Sequence, residues 1–280
     1  MAISIVTNAA SLNAQRNLNK TQGSMGKSLA RLSSGLRINQ ASDDAAGLAI
    51  SEKLKSQTRS LGQAQRNAND AVSMLQTAEG AMNETSGLLI RMRELSVQSA
   101  NDTVGSTERS FIQAELNDLR SEVDRIAEVT EFNGRKLIDG TASSVTFQVG
   151  INNSTNDRIT VAINDMHATA LGTGAATRLS GLDISTITGA QTAMSVLDSA
   201  ITDVSAARAE LGAVQNRLHA GIQNLATASE NLSAANSRIR DADIAQESAA
   251  LTKNSILMQA GVSVLAQANQ QPALALSLLG

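Results

Sequence analysis

Residues 54–92 read LKSQTRSLGQAQRNANDAVSMLQTAEGAMNETSGLLIRM. Leu54, Leu61, Ala68, Leu75, Met82 and Leu89 recur every seventh residue, and Ile50, Ala64, Ala71, Ala78 and Met92 take the companion positions. An α-helix repeats every 3.6 residues, so a strict seven-residue repeat keeps a narrow apolar stripe against a partner only if the helices supercoil. The spacing therefore predicts one long helix with a helical partner.

The partner is written near the other end of the chain. Leu197, Val204, Leu211, Leu218, Leu225, Leu232 and Ile239 again recur every seventh residue. Between the two runs, Ile112, Leu116, Leu119, Val123 and Ile126 step by four and three, as expected of a shorter amphipathic helix folded back on the first. Asn101-Asp102-Thr103-Val104-Gly105 supplies the turn. Toward the termini, Leu18, Met25 and Leu32 keep a seven-residue spacing, with Leu29 and Leu36 beside them. Ile244, Leu251, Met258 and Leu265 do the same, flanked by Ala250, Leu257 and Val264. The phase breaks twice, between Gly35 and Ser42 and between Ile239 and Ile244. Two breaks at mirror positions predict two layers: a terminal helix pair and a separate, longer bundle.

In the middle the periodicity changes. Val145, Phe147 and Val149 alternate with polar residues, as do Ile159, Val161 and Ile163, and residues 150–157 between them are rich in Asn and Ser. This reads as a β-hairpin with a long loop. Asn133-Gly134 is a tight-turn signal. Residues 167–189, rich in Gly, Thr, Ser and Ala, are expected to be a surface excursion. The fold class is thus mainly α: a long antiparallel coiled-coil bundle, terminal helices paired at one end, a small β-hairpin region at the other. Expected segments are a terminal helix in 1–42, the bundle's N-terminal helices with the hairpin in 43–187, its returning helix in 188–240, and a final helix in 241–280.

Composition narrows the function classes. The chain has 280 residues, no Trp, Tyr or Cys, and only Phe111, Phe132 and Phe147 as aromatics. Aromatics dominate thick cores, so thin helix-on-helix seams are expected. Pro272 is the only residue able to interrupt a helix by its ring. A net charge of −3, without a basic block, gives no footprint for nucleic acid. No apolar run approaches the ~20 residues of a membrane span, and the mixed-charge, Ser- and Asn-rich polar faces do not suit a membrane-surface helix. Without Cys, stability must come from packing or assembly. The opening MAISIVTNAASLNAQRN has neither the basic start nor the sustained apolar stretch of a secretory signal, which predicts residence in the cytoplasm or a route that keeps the N-terminus.

No catalytic or metal constellation is expected. Asp43 and Asp44, beside Ser42, read as helix capping residues, and Asp241 and Asp243 as the start of the last helix. His167 and His219 stand far apart with no HExxH pattern, and the glycines form no phosphate-binding motif. Cofactors: none. Arg208, Gln215, Ser229 and Asn236 place polar groups at companion positions of the returning seam, where they face either the partner helix or another subunit.

The segment RLSSGLRINQASDDAAGLAI, Arg31 to Ile50, closely resembles the N-terminal signature of bacterial flagellins, as does the opening with Ile3, Ile5, Asn8 and Leu12. The stretch from Glu230 to Gln270, ENLSAANSRIRDADIAQESAALTKNSILMQAGVSVLAQANQ, is similar to the C-terminal signature. The resemblance implies a filament subunit, not an enzyme, whose terminal helices form an inner layer (D0) and whose longer helices form the next (D1). The middle is too short for the outer domains of larger members. Assembly residues implied for D0 are Leu18, Met25, Leu29, Leu32, Leu251, Met258 and Leu265. The resemblance further implies export through the flagellar type III apparatus and an extracellular place in the flagellum. Its implied partners are other copies of the chain, an export chaperone, and cap and junction proteins. Residues 90–98, IRMRELSVQ, with Ile112-Gln113-Ala114-Glu115, resemble the D1 segment recognised by Toll-like receptor 5. Arg91, Leu95, Gln98, Ile112 and Glu115 are accordingly expected at a subunit contact first and a receptor contact second, with Leu95 a lone leucine on a solvated face. A hook–filament junction protein is the alternative within the same superfamily.

Overall fold

The computed structural model describes residues 7–172 and 178–277; Ile3 and Ile5 of the opening motif lie outside the described residues. Five helices dominate: α1 (Ala9–Ser34), α2 (Ala45–Ser99), α3 (Ser106–Val129), α4 (Ile187–Arg240) and α5 (Ile244–Ser277). Their ends follow local chemistry. The Asn8 side chain accepts the Ser11 N–H at 3.0 Å to open α1, and Gly35 closes it in the left-handed region (φ 71°), its N–H reaching Arg31 O at 2.8 Å. Asp44 Oδ1 accepts the Gly47 N–H at 2.8 Å at the start of α2, while Asp43 Oδ2 accepts the N–H groups of Asn39 and Gln40. Asp243 Oδ1 takes the Ala245 and Gln246 N–H groups at 2.9 and 3.1 Å, opening α5. Asp241 does not cap; its backbone pairs with Leu36 in an antiparallel bridge. Helix α5 continues through Pro272 to Ser277.

The described chain divides into two compact units, residues 1–58 with 230–280, and residues 59–229. In the first, α1 and α5 lie antiparallel: Asn8 Nδ2 donates to Ala268 O at 2.7 Å near one end, and Arg31 meets Glu247 at 3.6 Å near the other. Arg37 donates from Nη2 to Ile239 O at 2.7 Å, and Arg240 pairs with Glu52 at 2.6 Å. These ties bind the chain on both sides of the phase breaks, so the unit extends beyond the 42 and 241 boundaries drawn from periodicity. Ile50 is exposed, against expectation, because the buried stripe of α2 here runs through Gly47 and Ser51.

The second unit holds the continuous core. Leu61, Ala68, Leu75, Met82 and Leu89 of α2 are buried, as are Leu197, Val204, Leu211 and Leu218 of α4. Helix α3 adds Ile112, Leu116 and Val123. The pairing of α2 with α4 is antiparallel, with Arg93 to Asp198 at 2.6 Å and Gln215 to Glu79 at 2.9 Å. Helix α3 folds back on α2, with Arg109 Nε donating to Ser99 O at 2.9 Å.

Strands β1 (Glu131–Phe132) and β2 (Arg135–Lys136) pair across Asn133-Gly134, both at positive φ (52° and 76°). Only Asn, Asp or Gly accept that conformation without strain, which is why this dipeptide makes the turn. Strands β3 (Val145–Gln148) and β4 (Arg158–Val161) pair antiparallel, Val145 opposite Val161 and Phe147 opposite Ile159. The predicted hairpin is present, with Val149 and Ile163 just outside the ladder. The described part of 167–189, residues 167–172 and 178–189, is not a surface excursion. Ala168, Leu171, Leu179, Leu182 and Ile184 are buried in the core, and α4 begins at Ile187 within the segment. Arg120 donates to Ser180 O at 2.8 Å, and the Gln113 side chain accepts the Ile184 N–H at 2.7 Å, tying the segment to α3.

Candidate assembly and recognition surfaces

On the α2–α3 face, Arg91 is the centre of an ion-pair cluster. Its Nη2 and Nε reach Glu115 Oε1 at 2.8 and 3.2 Å, and its Nη1 reaches Glu94 Oε2 at 3.1 Å. Hydrogen bonding to Glu115, then to Glu94, holds the guanidinium above its already high range, so the charge is permanent. Gln98 and Glu115 are exposed beside it. Leu95 and Ile112 are not part of this surface: they are 1% and 8% exposed, within the core. The reason is that α2 has two partners. A second seven-residue stripe, Met74, Ala81, Leu88 and Leu95, is buried or half-buried alongside the first. Its spacing is visible in the sequence and could have placed Leu95 inside. Phe111, 70% exposed, and Ile90 and Val97, each about half-exposed, are the apolar side chains this part of α2 and α3 does present, and the motif reading missed them.

In the α1–α5 pair each helix buries one side only. Leu18, Met25 and Leu32 are half-buried on α1, and Leu251, Met258 and Leu265 on α5. The helices come close at Gly261, where an added Cβ would lie 3.2 Å from Leu18 Cδ1. Leu29, also of the expected assembly set, is 60% exposed, off the side through which α1 and α5 pair. It shares that state with Leu12 on α1 and with Ile256, Leu257, Val262 and Val264 on α5. Two helices can cover only one stripe of each other, and these sequences carry apolar residues on more than one.

The polar seam positions are resolved in part. Gln215 Nε2 donates to Glu79 Oε2 at 2.9 Å, and Arg208 lies 4.0 Å from Glu79 Oε1, so both face the partner helix. Ser229 and Asn236 are half-buried.

Paired long helices that leave large apolar side chains uncovered define a chain with surface to bury against other helices. Residues 5–143 match the bacterial flagellin N-terminal helical region, and residues 194–279 the C-terminal helical region. A flagellin of Halalkalibacterium halodurans is 46% identical over 97% of this chain and 98% of its own length. One from Bacillus subtilis is 45% identical over 97% and 98%. The fold is shared with a flagellar hook-associated protein of Vibrio parahaemolyticus, at a TM-score of 0.60 and 16% identity, over 71% of this chain and 100% of that one. The chain belongs to the bacterial flagellin family, in a short form without outer domains, and is a structural subunit of the flagellar filament.

Proposed function

We propose that the uncovered apolar stripes of α1 and α5 are the surfaces through which copies of this chain pack into the inner layer of the filament. Residues 1–42 and 241–280 supply that layer, and 43–187 with 188–240 the layer around it. The observation that carries the reading is the one-sided pairing. Leu12, Leu29, Ile256, Leu257, Val262 and Val264 stay in water in the single chain, and burying a large aliphatic side chain is worth roughly 1.5–3 kcal/mol. Arg91, Gln98 and Glu115, with Phe111 beside them, form a second contact face for neighbouring copies. The same face is the one a Toll-like receptor 5 ectodomain would meet, with Leu95 and Ile112 supporting it from beneath. The protein has no catalytic role. It leaves the cell through the flagellar type III apparatus, escorted by an export chaperone, and meets cap and junction proteins outside.

Elongation of filament seeds, followed by electron microscopy, tests this. Wild-type chain is expected to give long fibres. Leu257→Asp is expected to abolish elongation while the monomer keeps its helical circular dichroism. Wild-type chain that stops at short caps would move the assignment to a junction protein. Normal elongation by Leu257→Asp would remove α5's outer stripe from the interface.

A further inference from the structure

Near the C-terminal end of α3, one histidine lies between carboxylates from two parts of the chain. His167 Nδ1 is 2.6 Å from Asp165 Oδ1, and Nε2 is 3.4 Å from Glu128 Oε1 on the last turn of α3. The same Glu128 pairs with Lys136 of β2. The backbone on both sides of the ring is fastened to the same neighbours. Met166 N–H donates to Ile138 O at 2.9 Å, and Ala168 N–H to Asp124 Oδ1 at 2.8 Å. Met166, Ala168 and Ile138 are buried, so the ring sits over the edge of the core.

The charged groups around the ring are Asp124 and Glu128 from α3, Asp165 from the loop that carries His167, and Lys136 from β2, which shares Glu128. Three carboxylates face two cationic side chains, and one of the two can lose its charge near neutral pH. The hydrogen-bonding arithmetic matters as much as the charge. An imidazolium has two N–H donors and satisfies Asp165 and Glu128 together. A neutral imidazole has one, so the other ring nitrogen turns a lone pair toward a carboxylate.

We propose that His167 is a proton-operated latch, which fastens the 165–171 loop to the last turn of α3 while doubly protonated and loosens it when it gives up a proton. Burial works against the charged ring, but the contact with Asp165, then those with Glu128 and Asp124, outweighs it and lifts His167 above its ordinary 6.5. A group raised on folding contributes stability that is complete below its unfolded value and is lost as pH climbs through the folded one. The latch is therefore closed in mildly acidic solution and opens as the pH climbs through the raised value.

Thermal unfolding of the full-length monomer tests this in wild type, His167→Gln and His219→Gln at about pH 6 and about pH 9, either side of the histidine range. His167→Gln is expected to melt below wild type at the lower pH and level with it at the higher, while His219→Gln, which alters an exposed ring, keeps the wild-type pH dependence. An equal gap at both values would show a contact indifferent to protonation and overturn the latch. Wild-type amide exchange gives a second reading that needs no variant. Once corrected for the intrinsic base-catalysed rate, protection at Met166 and Ala168 is expected to fall between the two pH values; unchanged protection overturns the proposal.

Discussion

Leu95 and Arg91 stand one helical turn apart and do opposite things. Arg91 stays in solvent, held by Glu115 and Glu94, while Leu95 is sealed between helices. Truncating a buried leucine removes its transfer free energy and leaves a cavity, so Leu95→Ala is expected to cost about 2–5 kcal/mol in chemical denaturation of the monomer. Arg91→Ala is expected to leave the denaturation midpoint close to wild type, since its partners remain hydrated. Matching midpoints for the two variants would contradict the buried position of Leu95. The contrast matters for any recognition assay: Arg91→Ala reports on the surface, whereas Leu95→Ala reports first on the packing that positions it.

Single elements are started and stopped by short-range chemistry. The Asp44 carboxylate accepts one of the free N–H groups in the first turn of α2, a 55-residue helix. Asp44→Ala should lower stability by about 1 kcal/mol, measured by urea denaturation, and Asp44→Asn or Asp44→Ser should restore most of it. A loss confined to Asp44→Ala and absent from those two would mark the hydrogen bond, not the charge, as the contribution. The antiparallel α1–α5 pair follows another rule: with 26 and 34 residues, each helix is long enough to propagate but buries little when paired.

Across the whole molecule, burial is unevenly shared. Among the described residues, Ile38 and Ala268 are the only buried apolar side chains of the first unit, whereas the second holds one continuous core from Ala68 to Leu218. Segments with so little to bury do not offset the entropy of ordering by themselves. Residues before about 40 and after about 240 are therefore expected to exchange their amide hydrogens rapidly in the monomer and to become protected in the filament. The α2 and α4 amides of the second unit should be protected in both. Strong protection of both ends in the monomer would defeat this expectation.

By itself the sequence determined what depends on near neighbours in the chain. A seven-residue repeat, an Asp before a helix and an Asn-Gly pair each act within a few residues, and α2, α4, the Asp44 and Asp243 caps and the β1–β2 turn are legible for that reason. The two terminal signatures were legible as well, since family resemblance is read position by position. Tertiary structure decided how many partners each helix has. Because α3 and α4 both pack on α2, its buried side is two stripes wide, which put Leu95 and Ile112 inside; with one partner each, α1 and α5 leave Leu29 in water. Packing also decided the fate of the described residues of 167–189. Their apolar residues are too sparse to show a period, yet Leu171, Leu179, Leu182 and Ile184 are buried in the core of the second unit. A local pattern reports which side of an element is apolar; what covers that side depends on residues far away in the chain.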